Sequence, residues 1–255
     1  MLSVSLVHGA MVQVWRPDGS MERYIIEEEG GRRLVSVEHG DGVLKFYGGK
    51  PLSERLVSVK FPDGEVQQCE GERGAERVVR AHFPDGEVQH CEGERGAERV
   101  VREEFPSGEV QHCEGERGAE RLVREEFPNG EMHYFEGERG AERLAGKDFP
   151  NGDVQYHKGE KGSERMVRQD RSDGVQFYEG EQGGERLVRK HFPNGAVQYY
   201  EGENGVERLV RLELPNRQVQ YYGGEMNAER VLRLQFPDGR VLHLEGERGA
   251  ERCVR

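Results

Sequence analysis

Short apolar clusters recur along this chain every 22 residues, each set between charged positions. In the copy from Glu120 to Ala141, Leu122 and Val123 stand between Arg121 and Arg124, and Met132, Tyr134 and Phe135 stand between Glu131 and Glu136. The period is plain in Phe61, Phe83, Phe105, Phe127 and Phe149. It continues through Arg171, Phe192, Leu214 and Phe236, with one single-residue deletion on the way. A fixed period of this length is the signature of a repeat array, in which one unit stands for the fold.

Between the two apolar clusters of each unit lies Pro128-Asn129-Gly130, elsewhere Pro-Asp-Gly or Pro-Ser-Gly. Pro presets the first turn position, Asp or Asn suits the second, and Gly takes the left-handed position after it. That predicts a type I turn followed by a Gly bulge, so the clusters form the two strands of a hairpin. The second connection, Gly137 to Ala141, admits two registers. A two-residue turn centred on Arg139-Gly140 pairs Glu138 with Ala141; a three-residue turn makes Gly140 the bulge. A one-residue slip sends every side chain to the other face. The demand that the Val and Tyr columns keep their faces from repeat to repeat favours the three-residue turn.

The expected fold is all-β: an elongated single-layer antiparallel β-meander of about eleven 22-residue hairpin repeats. Residues 1–255 read as one array, with 1–54 as divergent N-terminal capping repeats, including the only Trp, Trp15, and 55–255 as regular repeats. Pro and two or three Gly per repeat leave no room for helices. In this register one face carries Arg121, Val123, Phe127, His133 and Phe135, and the other Leu122, Arg124, Met132, Tyr134 and Glu136. A sandwich needs one dry face. Two mixed faces predict a sheet wetted on both sides, with arginine stems and aromatic rings covering one another across strands. The same register sets Glu70 against Glu76, an unfavourable like-charge pair.

Composition supports a fold of high surface-to-volume ratio. Apolar residues are 34%, charged residues 34%, and 36 of the 255 residues are Gly. The net charge of −12 and the alternation of Arg with Glu oppose a nucleic-acid partner, which requires a basic face. No run approaches the ~18 apolar residues of a membrane span, so no membrane insertion is expected. The start lacks a basic n-region and a small-residue cleavage site, so no signal peptide is expected and the cytoplasm is the default compartment. The final Glu251-Arg252-Cys253-Val254-Arg255 reads as half a hairpin, either an exposed edge strand that templates association or the end of a fragment.

Chemistry-bearing residues are numerous but repetitive. Cys69, Cys91 and Cys113 form one column whose members lie two strands apart, about 9–10 Å, beyond disulfide reach. Within His90-Cys91 and His112-Cys113, neighbours point to opposite faces and cannot share an ion. The carboxylates recur in every unit without a cleft around them. No catalytic residue, metal site or cofactor is expected, and the chain is read as a non-enzyme. The strongest candidate surface is aromatic: Phe127, Phe135, Tyr178, Phe192, Tyr200, Tyr222 and Phe236 on one face. It serves either to stabilise the sheet by stacking or to bind a protein partner or a second copy of the sheet.

Tyr178-Glu179-Gly180-Glu181 and Tyr200-Glu201-Gly202-Glu203, with Pro-Asn-Gly between them, resemble MORN repeats from about residue 55 onward. Glu-Arg-Leu-Val-Arg stands where that family has its later Gly-x-Gly, and the Phe or Trp that follows its Tyr-Glu-Gly is missing. Phe83-Pro84-Asp85-Gly86 and Phe192-Pro193-Asn194-Gly195 also resemble the repeated turns of the C-terminal domain of centriolar scaffold proteins. Both resemblances imply free-standing single-layer sheets that scaffold assemblies, and the second implies association with the cytoskeleton. The expected function is a non-enzymatic scaffold or protein–protein interaction module, possible as a homodimer through the aromatic face or the C-terminal edge. The alternatives are a self-assembling structural protein with no other partner and, more remotely, a ligand carrier or enzyme with its site between two copies.

Overall fold

The computed structural model describes residues 9–28 and 31–254. Among these the chain forms 23 strands and no helix. It divides into two units, Met1–Pro128 and Asn129–Arg255. Within each unit, every described strand pairs antiparallel with its neighbours in the chain and packs against no other strand. The fold is therefore all-β, an open antiparallel meander built from the repeated hairpin.

The short turns are as the sequence predicts. Phe61 N–H donates to Glu65 O at 2.9 Å and Gly64 N–H to Phe61 O at 3.0 Å, with Gly64 left-handed at a φ of 100°. Asp63 Oδ1 accepts from the Glu65 amide at 3.0 Å, which is why Asp or Asn fills the position. The N-terminal turns at Arg16-Pro17-Asp18-Gly19 and His39-Gly40-Asp41-Gly42 follow the same plan. The deletion falls in one of these turns. Arg171 pairs with Gly174 across only Ser172 and Asp173, and Asp170 still meets Val175.

The long turns differ from expectation. Ala141 N–H donates to Glu138 O at 2.9 Å, and Gly140, with a φ of 80°, is the third residue of that turn rather than a bulge after it. The turn centred on Arg139-Gly140 is the one used. The slip it creates is absorbed inside the strand that follows. Tyr134 pairs with Gly146 but Phe135 pairs with Leu144, which leaves Ala145 as a β-bulge. The bulge recurs at Val57, Val79, Val101, Val123, Val167, Val188, Val210 and Leu232.

Directly opposed residues share a face, so the bulge fixes two constant faces. One, the arginine face, carries Val110, His112, Arg124 and Glu126; the other, the glutamine face, carries Gln111, Glu125, Cys113 and Leu122. Arg124 thus keeps the face expected for it with Tyr134, whereas Leu122 and Arg121 exchange sides. The bulged residue lies over the arginine face: Val57 Cγ1 is 3.1 Å from where a Cβ on Gly48 would stand. The expected Glu70–Glu76 repulsion disappears as well, because Glu70 pairs with Arg77. The best-buried apolar side chains of the regular repeats, Val59, Cys69, Ala81 and Ala196, are small and line the glutamine face, where Gln67 lies between Val59 and Ala81.

Candidate functional site: two open faces and a clasped turn edge

Toward the long turns the ladder opens. Five residue pairs join Leu44–Gly48 to Arg55–Lys60, but only three join Arg55–Lys60 to Val66–Glu70. The freed amide of Leu56 is taken by Glu76, whose Oε1 accepts from it at 3.0 Å while Oε2 accepts from Gly74 N–H at 2.8 Å. The same clasp joins Glu54 to Leu34, Glu164 to Leu144, Glu185 to Met166, Glu207 to Leu187 and Glu229 to Leu209. Arginines complete it. Arg77 Nη1 donates forward to Gly93 O at 2.7 Å, and Arg73 Nη1 donates backward to Leu52 O at 2.5 Å. The repeated Gly-Glu-Arg-Gly-Ala-Glu-Arg is thus the hardware that stacks each long turn on the one before. It leaves hollows between turns, one of about 670 Å³ between Gly93 and Arg117.

The Glu98 carboxylate is held below its ordinary range, first by its own backbone amide and then, against burial, by the amides of Gly96 and Val78. Glu164 is lowered in the same way, through its own amide and those of Leu144 and Gly162.

On the arginine face of the second unit, guanidinium groups alternate with rings. Arg168 lies 4.9 Å from the centre of Tyr156, Arg189 4.2 Å from Phe177, Arg211 4.9 Å from Tyr199 and Arg233 4.4 Å from Tyr221. Two of these four arginines also meet an acid two residues on. Arg168 Nε reaches Asp170 Oδ1 at 2.6 Å, and Arg211 bonds Glu213. In the first unit His90 and His112 replace the rings and join the acids instead, at 2.7 Å to Glu104 and 2.9 Å to Glu126. From Tyr156 to Tyr221 the expected cover of rings by arginines is therefore present, made by the guanidinium groups.

The glutamine face carries the aromatic candidates singled out from sequence. Phe135, Tyr178, Tyr200 and Tyr222 occupy one column, opposite Leu144, Leu187, Leu209 and Val231. Tyr178, Tyr200 and Tyr222 donate their hydroxyls to Gln176, Gln198 and Gln220 at 2.8, 2.5 and 2.6 Å. Burial of the rings pushes all three hydroxyls above their ordinary pKa. Phe192 and Phe236 flank short turns, under Lys190 at 4.8 Å and Arg240 at 5.0 Å. Phe127 holds the equivalent turn position in the first unit.

Cys69, Cys91 and Cys113 hold the equivalent position within the first unit, opposite Val78, Val100 and Leu122. Their neighbours His90 and His112 stand opposite arginines on the other face. All four cysteines are free thiols, and among the described residues no group of His, Cys, Asp and Glu is placed to hold a metal. Among them also, no helix is long and apolar enough to cross a membrane.

No family model and no curated protein matches the chain. Solved structures that overlap it include the crystal structures of TcdB2-TccC3-TEV, 10% identical over 95% of this chain and 16% of that one with a TM-score of 0.20, and of TcdB2-TccC3, 11% identical over 91% and 18% with a TM-score of 0.17. A structure of a Photorhabdus luminescens Tc holotoxin pore overlaps at 10% identity over 92% of this chain and 15% of that one, with a TM-score of 0.16. The chain spans less than a fifth of the length of each, and at these scores the overlaps bear on neither fold nor function.

Proposed function

We propose that the chain is a non-enzymatic structural scaffold, a protein–protein interaction module whose hairpin repeats present the same surface again and again. The observation that carries this reading is the column of Tyr178, Tyr200 and Tyr222. Each ring is fixed by its own glutamine and faces out from a layer over which no other described strand of its own unit packs. Pre-ordered aromatic surface is cheap to bury on association, because its rotamers are already held. The first partner we propose is a second copy, packing by this face into a homodimer that hides about 1,200–2,000 Å². The free thiols suit a reducing compartment, and we read the protein as cytoplasmic.

Light scattering on the wild type and on Tyr200→Ser/Tyr222→Ser tests the dimer. The wild type should weigh as a dimer and the double variant as a monomer. Release of monomer by Val254→Lys instead would move the contact to the C-terminal strand. A wild type that stays monomeric at high concentration rejects self-association and leaves the face to a different protein.

A further inference from the structure

The arginine face departs from its own pattern at Arg189. Arg102, Arg124, Arg168 and Arg211 each ion-pair with the acid two residues on, namely Glu104, Glu126, Asp170 and Glu213. At Arg189 that acid is replaced by His191. The His191 ring lies instead against Phe177, 5.1 Å between centres. Among the described residues Arg189 makes no ion pair; its recorded contact is the Phe177 ring at 4.2 Å. Two other repeats lack the acid. Arg233 is answered by Gln235 at 2.8 Å, and Arg80, which His82 follows two residues on, stands between Gln68 and His90 with no Phe or Tyr on either side.

Arg189 also sits in a hollow. Its strand neighbours in register are Phe177 and Tyr199, and these rings, with Val167 and Val188, surround the guanidinium in a depression of about 370 Å³. Glu179 stands at the rim, but its carboxylate is held by Arg186 at 3.1 Å. The place therefore offers a planar cation between apolar walls, its Nε buried without an acceptor and its Nη groups left to meet a ligand. We propose that this notch binds a carboxylate side chain of a partner segment, with apolar residues on either side of that carboxylate.

Charge and shape choose the occupant. An Arg left without its carboxylate is complementary to a single one from outside, in place of the acid that Asp170 and Glu213 supply to Arg168 and Arg211. The walls favour apolar flanks over further charge. The chain's net charge of −12 opposes a heavily acidic segment. Arg189, Phe177 and Tyr199 belong to the face opposite the tyrosine column, although Tyr178 also lines the hollow; the peptide titration reads the Arg189 side and light scattering the tyrosine side, so the two proposals are tested separately.

The test is an NMR titration of the full chain with the peptide acetyl-Ala-Leu-Glu-Leu-Ala-amide, reading the Arg189 Nε–H resonance, beside the same peptide with Gln for Glu. The Glu peptide should shift that resonance saturably, and the Gln peptide should bind at least about tenfold more weakly, the size of one charge-assisted hydrogen bond. His191→Glu restores the acid of the other repeats and should close the notch, with a comparable loss of affinity. His191→Leu, which offers Arg189 no acceptor, should bind as the wild type does. The two variants share the same fold requirement, so a folding defect cannot mimic the contrast. Equal binding of both peptides, equal binding by both variants, or no shift at Arg189 overturns the proposal. A shift produced by concentrating the protein alone would also overturn it, by making an acidic side chain of a second copy the occupant.

Discussion

Glu76 accepts a hydrogen bond from the backbone amide of Leu56, twenty residues earlier, and so ties each long turn to the repeat before it. The carboxylate fills a vacancy in the ladder that no other strand can reach. Replacing Glu76 with Ala leaves the Leu56 amide without its acceptor and should cost about 1–3 kcal/mol. Glu72, exposed in the same turn, is the control, and its replacement by Ala should stay within about 0.5 kcal/mol. Urea denaturation of the two variants measures the difference.

The clasps make stability depend on acid. Backbone amides hold the folded carboxylates of Glu98 and Glu164 below the ordinary carboxylate pKa. A carboxylate whose pKa is lowered by folding contributes stability that is present above its unfolded pKa and lost as pH falls through the folded one. The melting temperature should therefore hold steady from neutral pH down to the carboxylate range and drop below it. Glu98→Gln/Glu164→Gln should flatten that drop. An acid transition of unchanged steepness in the double variant would show that other groups govern it.

Two glycines in one turn should respond differently to the same change. At Gly96, with a φ of 82°, an added Cβ meets nothing within 4 Å. Gly96→Ala should cost only the left-handed strain, about 1–2 kcal/mol. At Gly93, with a φ of 116°, the Cβ would stand 2.5 Å from Ala97 O. Backbone must move there, and Gly93→Ala should cost roughly twice as much. Thermal melts that rank the pair in reverse order would refute the turn geometry.

The arginine–ring ladder has a measurable strength. Arg233 and Tyr221, 4.4 Å apart, should show a coupling of about 0.5–1 kcal/mol in a double-mutant cycle with Arg233→Met and Tyr221→Leu. A coupling near zero would mean that the rings contribute area alone.

Thiol reactivity should follow position in the sheet. Cys69 is buried at 8% exposure, and burial raises its pKa, whereas Cys253 is exposed. An aromatic disulfide reagent at neutral pH should consume one thiol quickly and Cys69 last, at least about tenfold more slowly. Cys253→Ser should abolish the fast phase.

The short turns could be read from sequence because single residues impose them. Pro62 fixes one φ, Asp63 supplies a side-chain acceptor, and Gly64 takes the left-handed position. The long turns could not, because their geometry is settled elsewhere. The bulge at Val79 has no marker of its own, since a valine in a strand is what any strand would show. The bond from Leu56 to Glu76 joins residues that no local window contains. Alternation alone was enough to gather Phe135, Tyr178, Tyr200 and Tyr222 on one face. The notch at Arg189 was hidden for the opposite reason. Its signal is a single histidine, His191, between repeats that carry Asp170 and Glu213 at the same position, and a search for what the repeats share passes over it.

The missing residue at Arg171-Ser172-Asp173-Gly174 shows where this protein can change length. The turn lost the residue that elsewhere serves only as its bulge, and Asp170 and Val175 remain opposite each other. A residue lost from within a strand has no such refuge, and would turn out every side chain up to the next turn. The array is thus punctuated by points that tolerate single insertions and deletions without altering either surface. Between those points, length can change only by whole repeats. A lineage of such proteins would grow and shrink in steps of 22, carrying its two surfaces unchanged while adding or removing places to dock.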